Sequence, residues 1–421
     1  MFSFRVDEYN ALAVPFGVVF FLPFVPVFWL LPPRWLRAGI IVMSVALAVL
    51  TWPWQWCVTL GLVVLYGYLI IAVCQARAGP ADRDPEASKS WVRFAWSAVL
   101  IAYVPALIWP KFQWLPAEPA VVQHPYYWVA WLGLAYLSIR ILHVAIDVVH
   151  GKLTRVRFVD YVAYAIFAPI LRMGPIMRFG DFVSQLETWP QRLTRRDVGI
   201  GLARIALGLL RMGLMLFLMN EVIADGFRES PQHFGWSVVL ISAAVSPFTI
   251  YLWVCGYADI AIGLGRMMGF VIPENYVWPW QSTDIRAFWR RLHMTMGSWL
   301  FEYVYIPLGG NRRHVFVNYL VTFVLCAVWH GFIVSYFVWG SAQAVGLYVN
   351  RLWRQYWTAQ REAQTRMYRM LLRCHLVGGR LSRVLGWALT CGYAMLTISI
   401  FMDERYAGAR WLGYLLGLYD G

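Results

Sequence analysis

Apolar runs of about the length needed to cross a bilayer recur along this chain, and no other feature limits its fold more. They cover Leu12 to Leu31, Ala38 to Trp52, Trp56 to Val73, Phe94 to Trp109, Tyr126 to Val149, Ile200 to Ile223, Trp236 to Val254 and Leu385 to Met402. A last run, Trp411 to Leu418, is too short to cross alone. With 60% hydrophobic and 14% charged residues and a mean hydropathy of +0.55, the composition excludes an ordinary soluble globule. Lipid cannot satisfy an open backbone, which leaves helices or closed barrels, and the short alternating segments of a barrel are not the pattern here. The expected fold is all-α: a polytopic integral membrane protein with about 10–11 membrane helices plus re-entrant and interfacial helices.

The chain reads as one transmembrane domain over 1–421. Leu12 to Leu31 exceeds a signal-peptide core and no small-residue cleavage pattern follows, so it is expected to be a retained first span, kinked or divided by Pro15, Pro23 and Pro26. The net charge of +14 comes from arginines in short clusters between apolar runs, which suits anionic membrane lipid and argues against nucleic acid as a partner. Lys152, Arg155 and Arg157 form a cytoplasmic edge by the same logic. Arg351 to Arg383 combines arginines with Trp353, Tyr356, Trp357, Met367 and Met370 at helical spacing, which predicts an amphipathic helix lying in the interface. The 6 cysteines show no paired spacing and read as buried thiols.

Ionisable side chains at membrane depth are expensive and mark either internal ties or a passage. Arg140, His143 and Asp147 sit one turn apart on a single helix face and fit both descriptions. Tyr161 to Pro169 is apolar but too short to cross, and the break at Arg172 to Arg178 predicts a re-entrant element. From Gly256 the texture changes, with glycines at 256, 263 and 265 that allow close helix contact around the acid Asp259, until Pro273-Glu274-Asn275 ends the element.

The chemistry-bearing stretch runs from Phe288 to Gly331. A helix starting near Ser282 or Thr283 carries Trp289, His293, Gly297 and Phe301 at fourfold spacing, with Arg290 close by. His330 lies 37 positions on (330 − 293), the only side chain from Val315 to Gly340 that titrates near neutral pH. Each histidine by itself is either a core residue bonded to a neighbouring helix or part of a reaction site. No His-x-x-x-His or Cys-x-x-Cys occurs, so no metal site is expected, and no Gly-x-Ser-x-Gly turn points to a serine hydrolase.

Gly256-Tyr257-Ala258-Asp259, Pro273-Glu274-Asn275, Phe288-Trp289-Arg290-Arg291-Leu292-His293, Tyr305-Ile306-Pro307-Leu308-Gly309-Gly310-Asn311-Arg312 and Trp329-His330-Gly331, with Gly174-Pro175-Ile176-Met177-Arg178 before them, occur in one order. That order resembles the membrane-bound O-acyltransferase family, in its bacterial branch of alginate O-acetylases and D-alanyl-transfer proteins, with a motif core of about 140–340. The sequence departs from the acetylase pattern at Leu292 and at Phe301-Glu302, and Leu134 to Arg140 looks closer to the D-alanyl branch. The resemblance implies a helical fold around a central passage in the bacterial inner (cytoplasmic) membrane, crossed many times. It implies no bound cofactor, an acyl thioester donor such as acetyl-CoA arriving from the cytosol, and an acceptor hydroxyl from the other face. The acceptor is an extracytoplasmic polysaccharide or a periplasmic or secreted acyltransferase partner. His330 matches the essential histidine and His293 the second one.

An alcohol is a weak nucleophile, so a neutral imidazole must take its proton as it attacks the thioester, the role expected of His330. The oxyanion needs donors, with His293 first and Arg290 or Asn311 after it. Trp329, Asp259, Arg140 and Arg178 complete the residues expected to line the passage. Other classes remain: a transporter or flippase, against which the lack of repeated halves speaks, and a non-catalytic scaffold.

Overall fold

The structure is a computed structural model that describes residues 22–52, 54–77, 90–98, 127–189, 194–219, 236–331, 334–373 and 379–401. Among these residues every regular element is helical. Residues 12–21 of the first expected span, most of Phe94 to Trp109, the loop that follows it to His124, and Trp411 to Leu418 lie outside them. The chain divides into two compact units, Met1–Gly213 with Trp253–Glu274, and Leu214–Leu252 with Asn275–Gly421.

The first unit holds α1 (Phe24–Leu30), α2 (Leu36–Thr51), α3 (Trp54–Arg77), α4 (Tyr127–Val149), α5 (Phe158–Ala165), α6 (Ala168–Leu171) and α7 (Phe179–Glu187). It also takes most of α8 (Arg195–Phe217) and the C-terminal part of α9 (Trp236–Met267). On α3, Leu60, Val64, Ile71 and Cys74 face protein, while Val58, Leu62, Leu65 and Leu69 stay exposed as an aliphatic stripe suited to lipid. α4 is apolar nearly all round and is buried from Ala135 to Val144, as a helix with two hydrophobic faces must be.

The expected re-entrant element is α5, α6 and the extended strip 174–178 that leads into α7. Its irregular backbone is buried in protein: Arg140 donates to the carbonyls of Tyr164 (2.5 Å), Ala165 and Ile170 (3.3 Å). His143 Nε2 accepts from the amide of Phe179 at 3.1 Å, and Tyr164 Oη donates to Met177 O at 2.7 Å.

α9 corrects the expected end of the span at Val254, for the helix runs on through Gly256 to Met267, with Pro247 also inside it. Glycine there serves close packing: a Cβ on Gly208 would stand 2.7 Å from Gly256 O, and one on Gly201 would stand 2.7 Å from Gly263 O. The pairs 201/263 and 208/256 give one antiparallel register between α8 and α9.

The second unit contains α10 (Ile285–Trp289), α11 (Met294–Leu300) with a wide π turn at Phe301–Tyr305, α12 (Val315–His330), α13 (Val334–Glu362), α14 (Arg366–Arg373) and α15 (Arg380–Phe401). Ile285, Phe288, Phe323, Ala344, Leu347 and Ala394 form its core. Where one interfacial helix was expected over 351–383, the described residues are divided among the end of α13, α14 and the start of α15, with Trp353, Tyr356 and Met370 exposed. Among the described residues five helices are long and apolar enough to cross a membrane, Pro33–Thr51, Cys57–Ala76, Arg195–Phe217, Val245–Met267 and Arg380–Phe401, and Val315–His330 is a shorter apolar one. The protein is a multi-pass, all-helical membrane protein.

Candidate functional site

His293 does not share a helical stripe with Trp289, Gly297 and Phe301, because the helix breaks in front of it. α10 starts at Asp284, whose Oδ1 accepts from the Ala287 amide at 2.8 Å; the cap is thus Asp284 itself, not Ser282 or Thr283. The chain ends α10 at Arg290, passes His293 at φ 49°, ψ 49°, and starts α11. Segment 275–277 runs alongside this break: Val277 N donates to Arg291 O at 2.9 Å, and Met294 N donates to Asn275 O at 2.9 Å. The His293 side chain does not cap α11; Asn275 Oδ1 does, accepting from Thr295 N (3.0 Å) and Thr295 Oγ1 (2.8 Å). A left-handed non-glycine residue costs about 1–2 kcal/mol, and hydrogen bonds of about 0.5–1.5 kcal/mol each offset it.

His330 is the last residue of α12. Gly331 follows at φ 149° and closes the helix with its amide on Ala327 O at 2.9 Å, a conformation that a Cβ would strain. The chain returns as α13, and a Cβ on Gly340 would meet Phe323 O at 2.6 Å, so the two helices touch backbone to backbone. This close pairing sets the half-buried His330 ring against Trp329 (4.7 Å between centroids), Trp339 (5.6 Å) and Tyr336 (6.0 Å), and α15 adds Phe401 (4.8 Å).

The two histidines meet through Trp329. Its indole packs edge-on against His293 at 6.1 Å and against His330 at 4.7 Å, while Tyr276 lies 5.6 Å from the other imidazole, His293. Trp289 ties α10 to the same cluster, 5.9 Å from Trp339, with its Nε1–H donating to Gln343 Oε1 at 3.0 Å. His293 keeps some open surface but lies deep among protein atoms, and burial brings its pKa from 6.5 down to about 4. At neutral pH it is therefore an uncharged imidazole with one N–H donor and one acceptor.

Arg290 and Asn311 are the remaining candidates of this unit. Arg290 is exposed at the end of α10. Asn311 is exposed too, its Oδ1 accepting from Tyr305 Oη (3.0 Å) and Arg351 (2.5 Å), in a loop fixed by Asn318 Nδ2 on Gly310 O (2.9 Å) and Arg313 O (2.7 Å). Asp259, Arg140 and Arg178 belong to the first unit. There Asp259 is buried between Arg204 (2.6 Å) and Arg211, Arg140 holds the re-entrant backbone, and Arg178 immediately precedes α7. Tyr276, Tyr336, Trp339 and Phe401 were not singled out by sequence, and Asn275 entered only as the last residue of the Pro273-Glu274-Asn275 motif, with no role at the site. Tyr336 and Trp339 share a face by their spacing, but nothing in the chain marks Phe401. Among the described residues no three His, Cys, Asp or Glu side chains group as metal ligands would.

A neutral imidazole deep among protein atoms and a second imidazole at a helix end, joined by one indole, suit proton transfer to and from an oxygen nucleophile. The profile of the membrane-bound O-acyltransferase family matches residues 91–375. The chain is similar to a probable alginate O-acetylase of Pseudomonas putida, with 31% identity over 243 residues, 56% of this chain and 48% of that protein. It is similar to the peptidoglycan O-acetyltransferase of Helicobacter pylori, with 31% identity over 198 residues, 46% of this chain and 37% of that one. It is also similar to the teichoic acid D-alanyltransferase of Bacillus subtilis, with 25% identity over 264 residues, 60% of this chain and 67% of that one. The matches span about half the length of the alginate O-acetylases.

Proposed function

The chain belongs to the membrane-bound O-acyltransferase family, and from that premise we propose that it moves an acyl group, acetyl in the first instance, from a thioester to a hydroxyl. The donor is a cytosolic thioester such as acetyl-CoA. The acceptor is a hydroxyl of an extracytoplasmic polysaccharide, reached directly or through a periplasmic or secreted partner, and the membrane is the bacterial inner membrane. Acetyl is preferred because the relatives at 31% identity are named O-acetylase or O-acetyltransferase.

In this reading His330 takes the proton of the acceptor hydroxyl as its oxygen attacks the thioester carbonyl. The C–O bond forms, the C–S bond breaks, and the proton passes to the leaving thiolate. His330 ends α12, so the helix's carbonyl end complements the positive charge that the ring gains. The neutral His293 supplies an N–H to the oxyanion. The observation that carries the reading is the Trp329 indole in contact with both imidazoles within one compact unit.

The test is mass spectrometry of surface glycan in cells complemented with wild type or His330→Ala. Loss of acetyl esters with the variant supports the reading, and retained acetylation at wild-type level contradicts it. The similarity to the Bacillus subtilis protein favours a second reading, D-alanyl transfer, which loss of D-alanyl esters in the same cells would support.

A further inference from the structure

We propose that Asn275 is a positioning residue for the acyl-transfer reaction: it holds His293 in its left-handed turn and so sets the imidazole against Trp329. The proposal rests on the reading of His293 and His330 given above and adds a residue to it.

Asn275 is 1% exposed, and nearly all its bonding capacity on the acceptor side is spent on the two residues that follow His293. Its backbone carbonyl takes Met294 N, and its side-chain carbonyl takes both donors of Thr295. Two residues further along the same strip, Val277 N bonds Arg291 O, two residues before His293. The break is therefore clamped on both sides by one three-residue segment. The middle residue of that segment, Tyr276, packs on the His293 ring.

An amide at position 275 suits this task. Its oxygen accepts two hydrogen bonds without placing a charge in a buried site. A helix that began at His293 with a capping side chain of its own would need Ser, Thr, Asp or Asn there, which would remove the imidazole. Supplying the cap from Asn275 leaves position 293 available for a ring. The αL conformation at His293 then turns that ring away from the path it would follow on a continuous helix.

The test is a double-mutant cycle on thioester-dependent acyl transfer, with purified full-length protein in lipid vesicles, acetyl-CoA as donor and extracted surface glycan as acceptor. Asn275→Ala is measured alone and on a His293→Gln background. A misplaced catalytic group loses on the order of 10- to 100-fold, so Asn275→Ala should lower kcat by that factor with KM for acetyl-CoA little changed. On the His293→Gln background the same change should cost less than about 3-fold, because the ring it positions is gone. The same factor in both backgrounds, or no loss in either, overturns the proposal. Thr295→Val, nearly isosteric and lacking one of the three donors, runs through the same cycle if Asn275→Ala is not recovered folded; its smaller loss must also vanish with His293→Gln. If His293→Gln and His330→Ala both turn over at the wild-type rate, the underlying reading falls. If both are impaired and Asn275→Ala multiplies independently, the positioning role alone falls.

Discussion

Gly331 follows His330 at φ 149°, where a side chain meets its own backbone, and it is the hinge that ends α12. Gly331→Ala should destabilise the protein by about 1–3 kcal/mol and misdirect the imidazole, seen as a lower unfolding midpoint in detergent together with reduced acyl transfer. His293 offers a pH test. Its folded pKa of about 4 lies below its ordinary 6.5, so between those values the unfolded chain binds a proton that the native chain refuses. Stability should therefore fall as pH drops from 6.5 toward 4, and it should fall less in His293→Gln, by thermal unfolding across that range. His330 was legible as a lone imidazole in an apolar run. The turn at His293 was not, because the hydrogen bonds that impose it come from Asn275, eighteen positions earlier (293 − 275).

At the scale of elements, the α8–α9 pair depends on its glycines. A Cβ at Gly208 or Gly263 would stand 2.7 or 2.6 Å from a carbonyl oxygen of the partner helix. Gly208→Leu should part the helices and cost about 1–3 kcal/mol, measurable as a lowered midpoint with the Arg204–Asp259 and Arg211–Asp259 pairs loosened. Apolar runs in the sequence located α2, α3 and α4 closely and α8 and α15 more loosely, their starts at Arg195 and Arg380 lying before the expected Ile200 and Leu385, since the arginines that begin them fall outside an apolar run. The runs ended α9 too early, at Val254 where the helix runs to Met267, yet the glycines at 256 and 263 do make the close helix contact expected of them, against α8. The aromatic surround of His330 was hidden for another reason: Phe401 is 71 positions beyond it (401 − 330), and only tertiary packing unites them.

At the scale of the molecule, the exposed stripes on the spanning helices belong to lipid. Val42, Val45 and Val49 on α2, and Val58, Leu62, Leu65 and Leu69 on α3, are exposed and would aggregate in water. Leu65→Arg near the middle of α3 should lower membrane insertion by about 2.5–3.5 kcal/mol, read as the membrane-integrated fraction in a translation assay. The central claim, however, is that two imidazoles from one unit act in one site. Initial rates of acyl transfer from acetyl-CoA in vesicles, for His293→Gln, His330→Ala and the double variant, test it most directly. The account predicts that His330→Ala loses roughly 10²- to 10⁴-fold and that adding His293→Gln lowers the rate little further. A His330→Ala rate near wild type, or losses that multiply as for independent residues, would contradict it.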